Sequence, residues 1–578
     1  MIINRDCPDM FLDLAEPEYQ EICREWLGET KGDTSWAYRQ LSFLKMVDRY
    51  ISDELEKPVD YQINSHEAGG AWRIAFPHVR VRVDDARIRE RIAAVMAARR
   101  KYTDENYFHG YPDETESHHQ IETFIYFQIP LFHLNSVASS GGLSTAIALS
   151  SIEDVAHHAG NWVSDVPAWY DWDKHAFRSY WLGTRSTRDY PPYDYQEANH
   201  FRIISTVVAS YLGTKNERYL ELAVDYANRW CNHIEKCAET EDFISTIIVP
   251  EGAELKGARD TKYSYSEPSV SANRAYDLFG GLIDIWRITG TKRYLACARA
   301  LLDQFFEHST EEGYPPYGAN KSRGWGSGFD EPKESYKLKL LALGPEGNEW
   351  RNMVIAFDPG DLTLISTIGE GPTYLSRMAL RYDVLTGENR YKEAILSWAN
   401  NIDEYSHMEH QMKADLLAAA HWYTGDAQWL TRGYAMALRT WAILEPFEGK
   451  MCGCGTRYSS KFYMELLYNP ILGGADWGTR GNIPVEVIQH SADGAKGLPD
   501  DIAFRTWRVN NQVDAFEAIN KGTKNRIWRL ASASDQRSVA RVEISVDDTY
   551  EIATNNSLSL EPGKSLTGRI HCQNRAKK

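Results

Sequence analysis

Four stretches of the chain share one pattern: a helical run, a short turn that contains glycine, and a second helical run led by an aromatic residue. They read SYLGTKNERYLELAVDYANRW, WRITGTKRYLACARALLDQFF, DVLTGENRYKEAILSWANNI and HWYTGDAQWLTRGYAMALRTW. The turn glycines, each at a position where a helix C-cap takes a positive φ, are Gly213, Gly290, Gly387 and Gly425. The leading aromatic residues are Tyr219, Tyr294, Tyr391 and Trp429. Repeated helix hairpins must bury their apolar faces against one another, so the chain is predicted to be mainly α.

The spacing of the turns favours a closed ring of hairpins over an open solenoid. The intervals between the four turns are unequal, whereas solenoid repeats keep a fixed period. Long insertions rich in Gly, Pro, Tyr and Ser separate the hairpins, and loops of this length within a compact domain are usually functional. They enter the same end of successive helical runs, so we expect them to gather at one mouth. This organisation predicts a catalytic domain over residues 1–480, with a short strand-like insert near 71–83.

The sequence changes character after residue 480. The segments FRTWRVNNQ, RIWRLASAS, SVARVEISV and SLTGRIHCQ look like short strands and are separated by Asp, Asn, Lys and Gly. They predict a small β-rich domain over residues 481–578.

The hairpin turns also carry a resemblance to known enzymes. LGTKNERYL, ITGTKRYL, LTGENRYK and YTGDAQWL give roughly residues 15–475 a pattern that resembles the (α/α)6 or (α/α)7 toroids of carbohydrate-active enzymes. This group includes uronate-specific polysaccharide lyases and unsaturated glucuronyl hydrolases, and the resemblance selects no single family among them. It implies a toroid whose inner helices begin at an open mouth, where their first turns line a pocket.

Bulk composition limits the partners. The formal net charge is -17 and the pI is near 5.5, which argues against a nucleic-acid or anionic-membrane surface and favours short acidic oligosaccharides over long polyanions. No apolar stretch approaches the length of a membrane span. The eight cysteines show no disulfide-scaffold spacing, and the first residues lack the apolar core of a signal peptide, so a cytoplasmic location is expected. The 18 Trp and 33 Tyr suit either a sugar cleft or packing between helices.

Six candidate helix starts concentrate Glu, His, Asn, Arg, Lys or Tyr immediately before a long apolar run. They read DETESHHQIETF, DYQEANHFRII, EPSVSANRAYDLF, GEGPTYLSRMAL, SHMEHQMKADLL and TRYSSKFYMELL. A solvated helix cap explains Glu and Asp there. It does not explain His and Arg, which the positive end of a helix disfavours. The recurrence therefore predicts a pocket lined by these starts.

The pocket residues divide by chemistry. The predicted catalytic residues are Tyr195, His200, His119, Glu116, Glu197 and Glu370. The predicted substrate-binding residues are His118, Asn199, Asn273, Arg274, Tyr374, Arg377, His410, Lys413, Arg457 and Tyr458. Asp277, one turn after Arg274, is placed to neutralise it. The alternative reading of all these starts is helix capping and hydrogen bonding between helices.

Three functions fit this residue set. The first, which the abundance of His and Tyr favours, is β-elimination in a uronate-containing glycan, in which Asn, His or Arg neutralises the carboxylate and Tyr or His removes the C5 proton. The second is glycoside hydrolysis by two carboxylates drawn from Glu116, Glu197, Glu370 and Glu409. The third is a non-catalytic glycan-binding scaffold, against which the repeated His and Arg count.

No cofactor is predicted. The sequence has neither a P-loop nor a G-x-G-x-x-G motif. A divalent metal held by histidines and Glu409 is the weaker alternative, because the HH and EH spacings are not H-E-x-x-H. An acidic oligosaccharide is the expected partner, and the sequence leaves the oligomeric state open.

Overall fold

The computed structural model describes two parts of the chain, one mainly of helices and a C-terminal one mainly of strands. The helical part covers residues 55–56, 58–59, 86–113, 115–116, 121, 129, 143–191, 193–240, 244–250, 272–308, 374–383, 385–401, 407–424, 426, 428–430 and 432–434. The C-terminal part covers residues 487–491, 502–510, 513–520, 522–532, 537–546 and 549–574. The strand-like insert expected near 71–83 lies outside these ranges.

Helices dominate the first part. In chain order they are α1 (Ala86–Asn106), α2 (Leu143–Ala159), α3 (Phe201–Thr214), α4 (Glu217–Glu239), α5 (Ala272–Thr289), α6 (Lys292–His308), α7 (Lys392–Asn400) and α8 (His407–Thr424). Residues 374–383 are also helical, and a short 3-10 turn, Ala198–His200, leads into α3. Two-residue strands lie between the helices: β1 (Thr115–Glu116), β2 (Tyr170–Asp171), β3 (Ala176–Phe177), β4 (Trp181–Leu182), β5 (Gln196–Glu197) and β6 (Ile247–Ile248). The mainly α fold class predicted from the sequence is confirmed.

The helices pair into the predicted hairpins. Three of them are α3 with α4, α5 with α6, and the helical residues 374–383 with α7. We call α3, α5, 374–383 and α8 the first helices, and α4, α6 and α7 the second helices. Within the described hairpins, α3 packs against α5 and α4 packs against α6, so first helices lie beside first helices. We call the end of the stack where the first helices begin the upper end, and the end that holds the hairpin turns the lower end.

The turn glycines behave as predicted at two of the four turns. Gly290 and Gly387 have φ of 73° and 78°, and their N–H groups donate to Trp286 O and Asp383 O at 2.7 and 2.8 Å. Glycine is favoured there because a Cβ is strained at positive φ.

The prediction for Gly213 is wrong. Helix α3 continues through it, and Lys215 takes the left-handed conformation with φ 60°. The Asn216 side chain caps α4, so the chain must reverse immediately before that residue. Gly425 lies outside the described residues.

The tyrosine after each of the first three turns anchors its hairpin to the helix before it. The Tyr219 hydroxyl donates to Glu153 of α2 at 2.8 Å. The Tyr294 hydroxyl donates to Asn228 of α4 at 3.0 Å, and the Tyr391 hydroxyl donates to Asp303 of α6 at 2.6 Å. The ring of each of these tyrosines is also buried. The repeated Tyr therefore supplies both packing and one directed polar contact.

An arginine precedes each of these tyrosines and binds the same preceding helix. Arg293 forms a bidentate pair with Glu235 of α4, at 2.8 and 2.6 Å. Arg390 pairs with Asp303 of α6 through two hydrogen bonds of 2.9 and 3.0 Å. Arg218 contacts His157 of α2 at 2.7 Å. We call these the Arg–Tyr anchors, formed by Arg218–Tyr219, Arg293–Tyr294 and Arg390–Tyr391.

The C-terminal strands confirm the four strand segments predicted there. They are β7 (Val487–Ser491), β8 (Ile502–Asn510), β9 (Val513–Asn520), β10 (Arg526–Ser532), β11 (Arg537–Val546), β12 (Thr549–Ile552), β13 (Ser557–Leu560) and β14 (Ser565–Asn574). An antiparallel sheet has the order β12-β11-β14-β9-β8, and a second has the order β13-β10-β7. Phe516, Val542 and Ile570 are buried on one face of the larger sheet. The domain boundary at residue 481 stays a prediction.

Replacing Tyr391 by Phe removes the hydroxyl that binds Asp303 and leaves the ring in place. Because the lost bond has a charged acceptor, we expect the free energy of unfolding to fall by about 1–2 kcal/mol, measured by urea titration. The matched control is Tyr211→Phe, at a half-buried tyrosine of α3 whose hydroxyl has no hydrogen bond to a described residue. Equal, small effects of both substitutions would show that the anchor's hydroxyl does not stabilise the stack.

Candidate functional site

Four arginine–carboxylate pairs cross the interfaces between the first helices. They are Arg274 with Glu197, Arg202 with Asp277 at 2.7 Å, Arg381 with Asp284 at 2.5 Å, and Arg377 with Asp415 at 2.9 Å. We call this set the ion-pair ladder. Burying a charge is costly without a partner, so each pair fixes the register of two neighbouring helices.

The uppermost pair is formed where the chain enters α3. A two-residue strand, β5 (Gln196–Glu197), pairs with β6 (Ile247–Ile248) and sets Glu197 opposite Ile247. The 3-10 turn follows at once, so Glu197 is held at the upper end just before α3. Its side chain is 2% exposed and meets the guanidinium of Arg274, in the first turn of α5. Arg274 is 30% exposed, so the pair joins a buried carboxylate to a cation that reaches the surface.

Asn199 brings a second buried polar group to the same turn. Its side chain is 8% exposed, and its Oδ1 has no hydrogen-bond partner in the described part of the chain. A buried carbonyl oxygen left without a hydrogen bond costs about 1–3 kcal/mol, so such atoms usually face a water or a ligand group. Asn199 is therefore suited to the ligand-binding role predicted from the sequence.

The His200 side chain is buried, unlike a catalytic base that faces a substrate at the surface. Its ring is buried, and it stacks on Phe177 with centroids 5.0 Å apart. Nδ1 accepts the N–H of Glu197 at 3.0 Å, which leaves Nε2 to donate to Ser179 O at 3.2 Å. Burial lowers the pKa of His200 to about 4, against the opposing effect of the backbone hydrogen bonds. A neutral ring bonded at both nitrogens favours a structural role over the base expected from sequence.

The Tyr195 side chain is also buried against other side chains and is not exposed to solvent. It is 4% exposed and stacks on Tyr180 with centroids 5.3 Å apart. The next residue, Gln196, binds both the N–H and the C=O of Phe177, at 2.9 and 2.5 Å. These contacts tie the segment before α3 to residues 176–182.

Residues 176–182 also contact the segment that carries Glu116, another predicted catalytic residue. A short strand, β4 (Trp181–Leu182), pairs with β1 (Thr115–Glu116) and sets Glu116 opposite Trp181. Trp181 directly follows Tyr180, which stacks on Tyr195. The segments that carry Glu116 and Glu197 therefore contact the same loop. Residues 115–116 form a strand, not the helix start that the sequence predicts.

An aromatic and cationic cluster formed by Trp181 and residues 188–193 was not predicted. The Arg188 guanidinium lies 4.2 Å from the ring centroid of Trp181 and 5.2 Å from that of Tyr193. Tyr190, beside Tyr193, is 55% exposed. The density of Tyr and Trp between residues 169 and 195 was the signal that could have found it.

Two further candidates lie on the helical residues 374–383. Tyr374 is buried and its ring centroid is 5.3 Å from that of Tyr276. Arg377 pairs with Asp415 of α8, so its guanidinium belongs to the ion-pair ladder. Asp277, which the sequence offers as a partner of Arg274, pairs with Arg202 one turn deeper, and Arg274 pairs with Glu197.

The remaining candidates cannot be placed by side chain. Those outside the described residues are His118, His119, Glu370, Arg457 and Tyr458. Those with a described backbone only are Glu116, Asn273, Glu409, His410 and Lys413. Among the described residues there is no group of three or more His, Cys, Asp or Glu side chains arranged to hold a metal ion. The alternative metal site, at His118, His119, His200, Glu409 and His410, stays a prediction, since the structure describes the side chain of His200 alone among them.

Comparison with known proteins gives only remote likenesses. No sequence family profile matches the chain, and no curated protein matches it. The chain is similar to a solved unsaturated glucuronyl hydrolase from Bacillus sp. GL1, with 9% identity, a TM-score of 0.37, and coverage of 72% of this chain and 98% of that one. It is also similar to a GH127 β-L-arabinofuranosidase from Geobacillus stearothermophilus T6, with 10% identity, a TM-score of 0.33, and coverage of 91% and 80%.

These similar structures are (α/α)6-toroid carbohydrate-active enzymes, and no single family is identified. TM-scores below 0.5 are too low to carry a residue role or a substrate to this chain. In the part of the chain that the structure describes, no helix is long and apolar enough to cross a membrane.

The buried neutral His200 predicts a pH dependence of stability. Its folded pKa of about 4 lies below the ordinary value of 6.5, so the unfolded chain binds more protons between these values. Stability from this group is therefore present at neutral pH and lost as the pH falls, by roughly 1 kcal/mol per pH unit within the window. Urea titrations of wild type and His200→Gln should show a shallower slope in the variant. Equal slopes would mean that His200 titrates as an exposed ring.

Proposed function

We propose that this protein hydrolyses glycosidic bonds in acidic oligosaccharides at the upper end of the hairpin stack, and that Glu197 is one of its two catalytic carboxylates. The observation that carries the proposal is the Glu197–Arg274 pair, in which a buried carboxylate meets a partly exposed cation. Asn199, two residues further on, adds a buried amide oxygen that has no hydrogen bond within the described residues.

The pair suits one half of a glycosidase mechanism. A neighbouring guanidinium favours the ionised form of a carboxylate. An ionised carboxylate beside the glycosidic bond acts either as the base that activates water or as the nucleophile that attacks the anomeric carbon. In both mechanisms it also stabilises the positive charge that develops on the sugar ring. Glu197 is proposed for this role.

The second carboxylate must protonate the leaving oxygen. Glu116 is the proposed acid, because the β1–β4 pairing brings its segment to the loop that also contacts the segment of Glu197. Two carboxylates on opposite sides of one bond lie about 5–10 Å apart, depending on whether the mechanism retains or inverts the anomeric configuration.

The acidity of the substrate is proposed from Arg274. Its guanidinium is 30% exposed beside the buried Glu197. An arginine at the edge of such a site attracts an anionic group, and guanidinium pairs well with a carboxylate. A uronic acid supplies that carboxylate within the sugar that is cleaved.

Hydrolysis is preferred to the β-elimination that the sequence favoured. Elimination needs a base for the C5 proton and a group that neutralises the uronate carboxylate. His200 engages backbone groups at both ring nitrogens, and Tyr195 is buried under Tyr180. Neither side chain is well placed for proton abstraction, whereas Glu197 keeps its carboxylate at the upper end.

Replacing Glu197 by Gln should lower the rate of glycoside cleavage about 10³-fold, because the amide cannot act as base or nucleophile. The assay follows new reducing ends and ultraviolet absorbance together, with a glucuronate-containing oligosaccharide and its carboxyl-reduced counterpart. The matched control is Glu235→Gln, which also breaks an arginine pair but lies between the second helices.

The outcomes separate the alternatives. Reducing ends without new absorbance, lost in Glu197→Gln and kept in Glu235→Gln, support the proposal. New absorbance would report a C4–C5 double bond, and therefore elimination. Faster cleavage of the carboxyl-reduced substrate would contradict the acidic specificity, and undiminished activity in folded Glu197→Gln would contradict the role of Glu197.

A further inference from the structure

Strand β12, at one edge of the larger C-terminal sheet, leaves two large apolar side chains exposed. Tyr550 is 47% exposed and Ile552 is 66% exposed. They are two positions apart on the strand, so both project from the same face of the sheet. The register sets Tyr550 opposite Ser545 and Ile552 opposite Glu543 of β11. Val542, which follows Arg541 and precedes Glu543, is buried, so the exposed pair lies on the face away from the core.

Cationic side chains share this outer face with the apolar pair. Glu543 of β11 lies opposite Arg569 of β14, and Arg541 lies opposite His571. The Arg569 guanidinium lies 4.3 Å from the ring centroid of Tyr550, so its side chain extends across β11, the strand between them. A guanidinium at this distance is attracted to the ring by a cation–π interaction. Arg569 is therefore held beside the exposed aromatic ring.

Glu543 holds the second arginine of this face in place. One of its carboxylate oxygens lies 2.9 Å from Nη2 of Arg541, and the other lies 2.8 Å from Nε2 of His571. The Arg541 side chain is still 51% exposed, so it also reaches solvent. We call Arg541, Glu543, Tyr550, Ile552 and Arg569 the sheet platform. Its charged groups are positioned by one another before any ligand binds.

The charge around the sheet platform differs from that of the chain as a whole. Residues 481–578 contain slightly more Lys and Arg than Asp and Glu, whereas the whole chain has 64 of the first kind and 81 of the second. The sheet platform itself carries two arginines and one glutamate. An anionic ligand that the acidic remainder of the chain repels therefore finds a complementary surface here.

We propose that the sheet platform is a second glycan-binding site, which takes an oligosaccharide that contains uronic acid. The Tyr550 ring and the Ile552 side chain receive the apolar C–H face of a pyranose. The two arginines pair with the uronate carboxylates. The Glu543 carboxylate accepts hydrogen bonds from sugar hydroxyl groups. The inference does not rest on the proposed hydrolysis, because its residues are not those of the candidate site and binding needs no bond cleavage.

The main alternative is that a second copy of the chain covers this face. An exposed edge strand offers backbone N–H and C=O groups to another strand. Pairing of that kind uses the edge of β12, whereas Arg541 and Arg569 lie on the inner strands β11 and β14. Cations that line the face of the sheet, behind the edge, favour a ligand that lies across the face. A nucleic acid fits less well, because its phosphates need clustered cations and Glu543 repels them.

The test is isothermal titration calorimetry of the full-length protein with hyaluronan oligosaccharides, which contain glucuronate, and with their carboxyl-reduced counterparts. Tyr550→Ala should weaken binding of the acidic ligand about tenfold, because truncating an aromatic contact residue removes its buried area. Arg569→Gln should weaken binding of the acidic ligand and leave that of the carboxyl-reduced ligand unchanged. Added salt should reduce the effect of Arg569→Gln, since exposed charges are screened.

Two control variants separate the sheet platform from other surfaces. Ile527→Ala removes an apolar side chain that is 53% exposed on β10 of the smaller sheet, and it should leave binding unchanged. Lys564→Gln removes a cation in the turn before β14 and should also leave binding unchanged. Glu197→Gln should keep the binding that Tyr550→Ala loses, so a failure of the proposed hydrolysis is distinguishable from a failure of this site.

The proposal is overturned if Tyr550→Ala, confirmed as folded by circular dichroism, binds the acidic ligand as tightly as wild type does. It is also overturned if wild type binds neither ligand, or binds the carboxyl-reduced ligand equally well. Sedimentation velocity tests the main alternative. A dimer that Ile552→Ala dissociates would assign this face to a second copy of the chain and contradict the proposal.

Discussion

The ion-pair ladder is the interaction on which the arrangement of the first helices depends. Each of its arginines crosses to a carboxylate on a neighbouring element, and most of these side chains are almost wholly buried. A buried charge deprived of its partner costs about 3–5 kcal/mol, so sliding one helix by a turn is strongly disfavoured. Apolar packing alone tolerates such slips, because one aliphatic surface resembles the next. The ladder therefore supplies register, and the apolar core supplies most of the cohesion.

The candidate site grows out of the same interaction. Glu197–Arg274 is the uppermost member of the ladder, and it differs from the deeper pairs in that its arginine reaches the surface. The deeper pair Arg377–Asp415 has no comparable exposure, which explains why a predicted substrate ligand instead joins two helices. Position along the first helices thus separates the arginines that join two helices from Arg274, which we propose binds the substrate, although the residue types are the same.

The sequence predicted the hairpins and the C-terminal strands well because both depend on local rules: glycine at positive φ, an aromatic residue after the turn, and alternation in strands. It could not reveal which way a side chain points. His200 sits among the candidate residues, yet its ring turns inward to Ser179 and Phe177. Nor could it show that residues 176–182 connect Glu116 with Tyr195, since that contact joins segments far apart in the chain. At the first turn Lys215, not Gly213, takes the left-handed conformation, because the Asn216 side chain caps the next helix and so fixes where the chain turns.

The Arg–Tyr anchors all point backwards along the chain. Arg293 and Tyr294 bind α4, Arg390 and Tyr391 bind α6, and Tyr219 binds α2, so each hairpin is held by an element already made. During synthesis a new hairpin therefore meets the docking surface for its Arg–Tyr anchor as soon as it emerges. Truncation from the carboxyl end leaves the earlier anchors complete, whereas truncation from the amino end removes the surface that the next hairpin needs. The order in which the chain is synthesised is therefore the order in which the surfaces for the Arg–Tyr anchors become available.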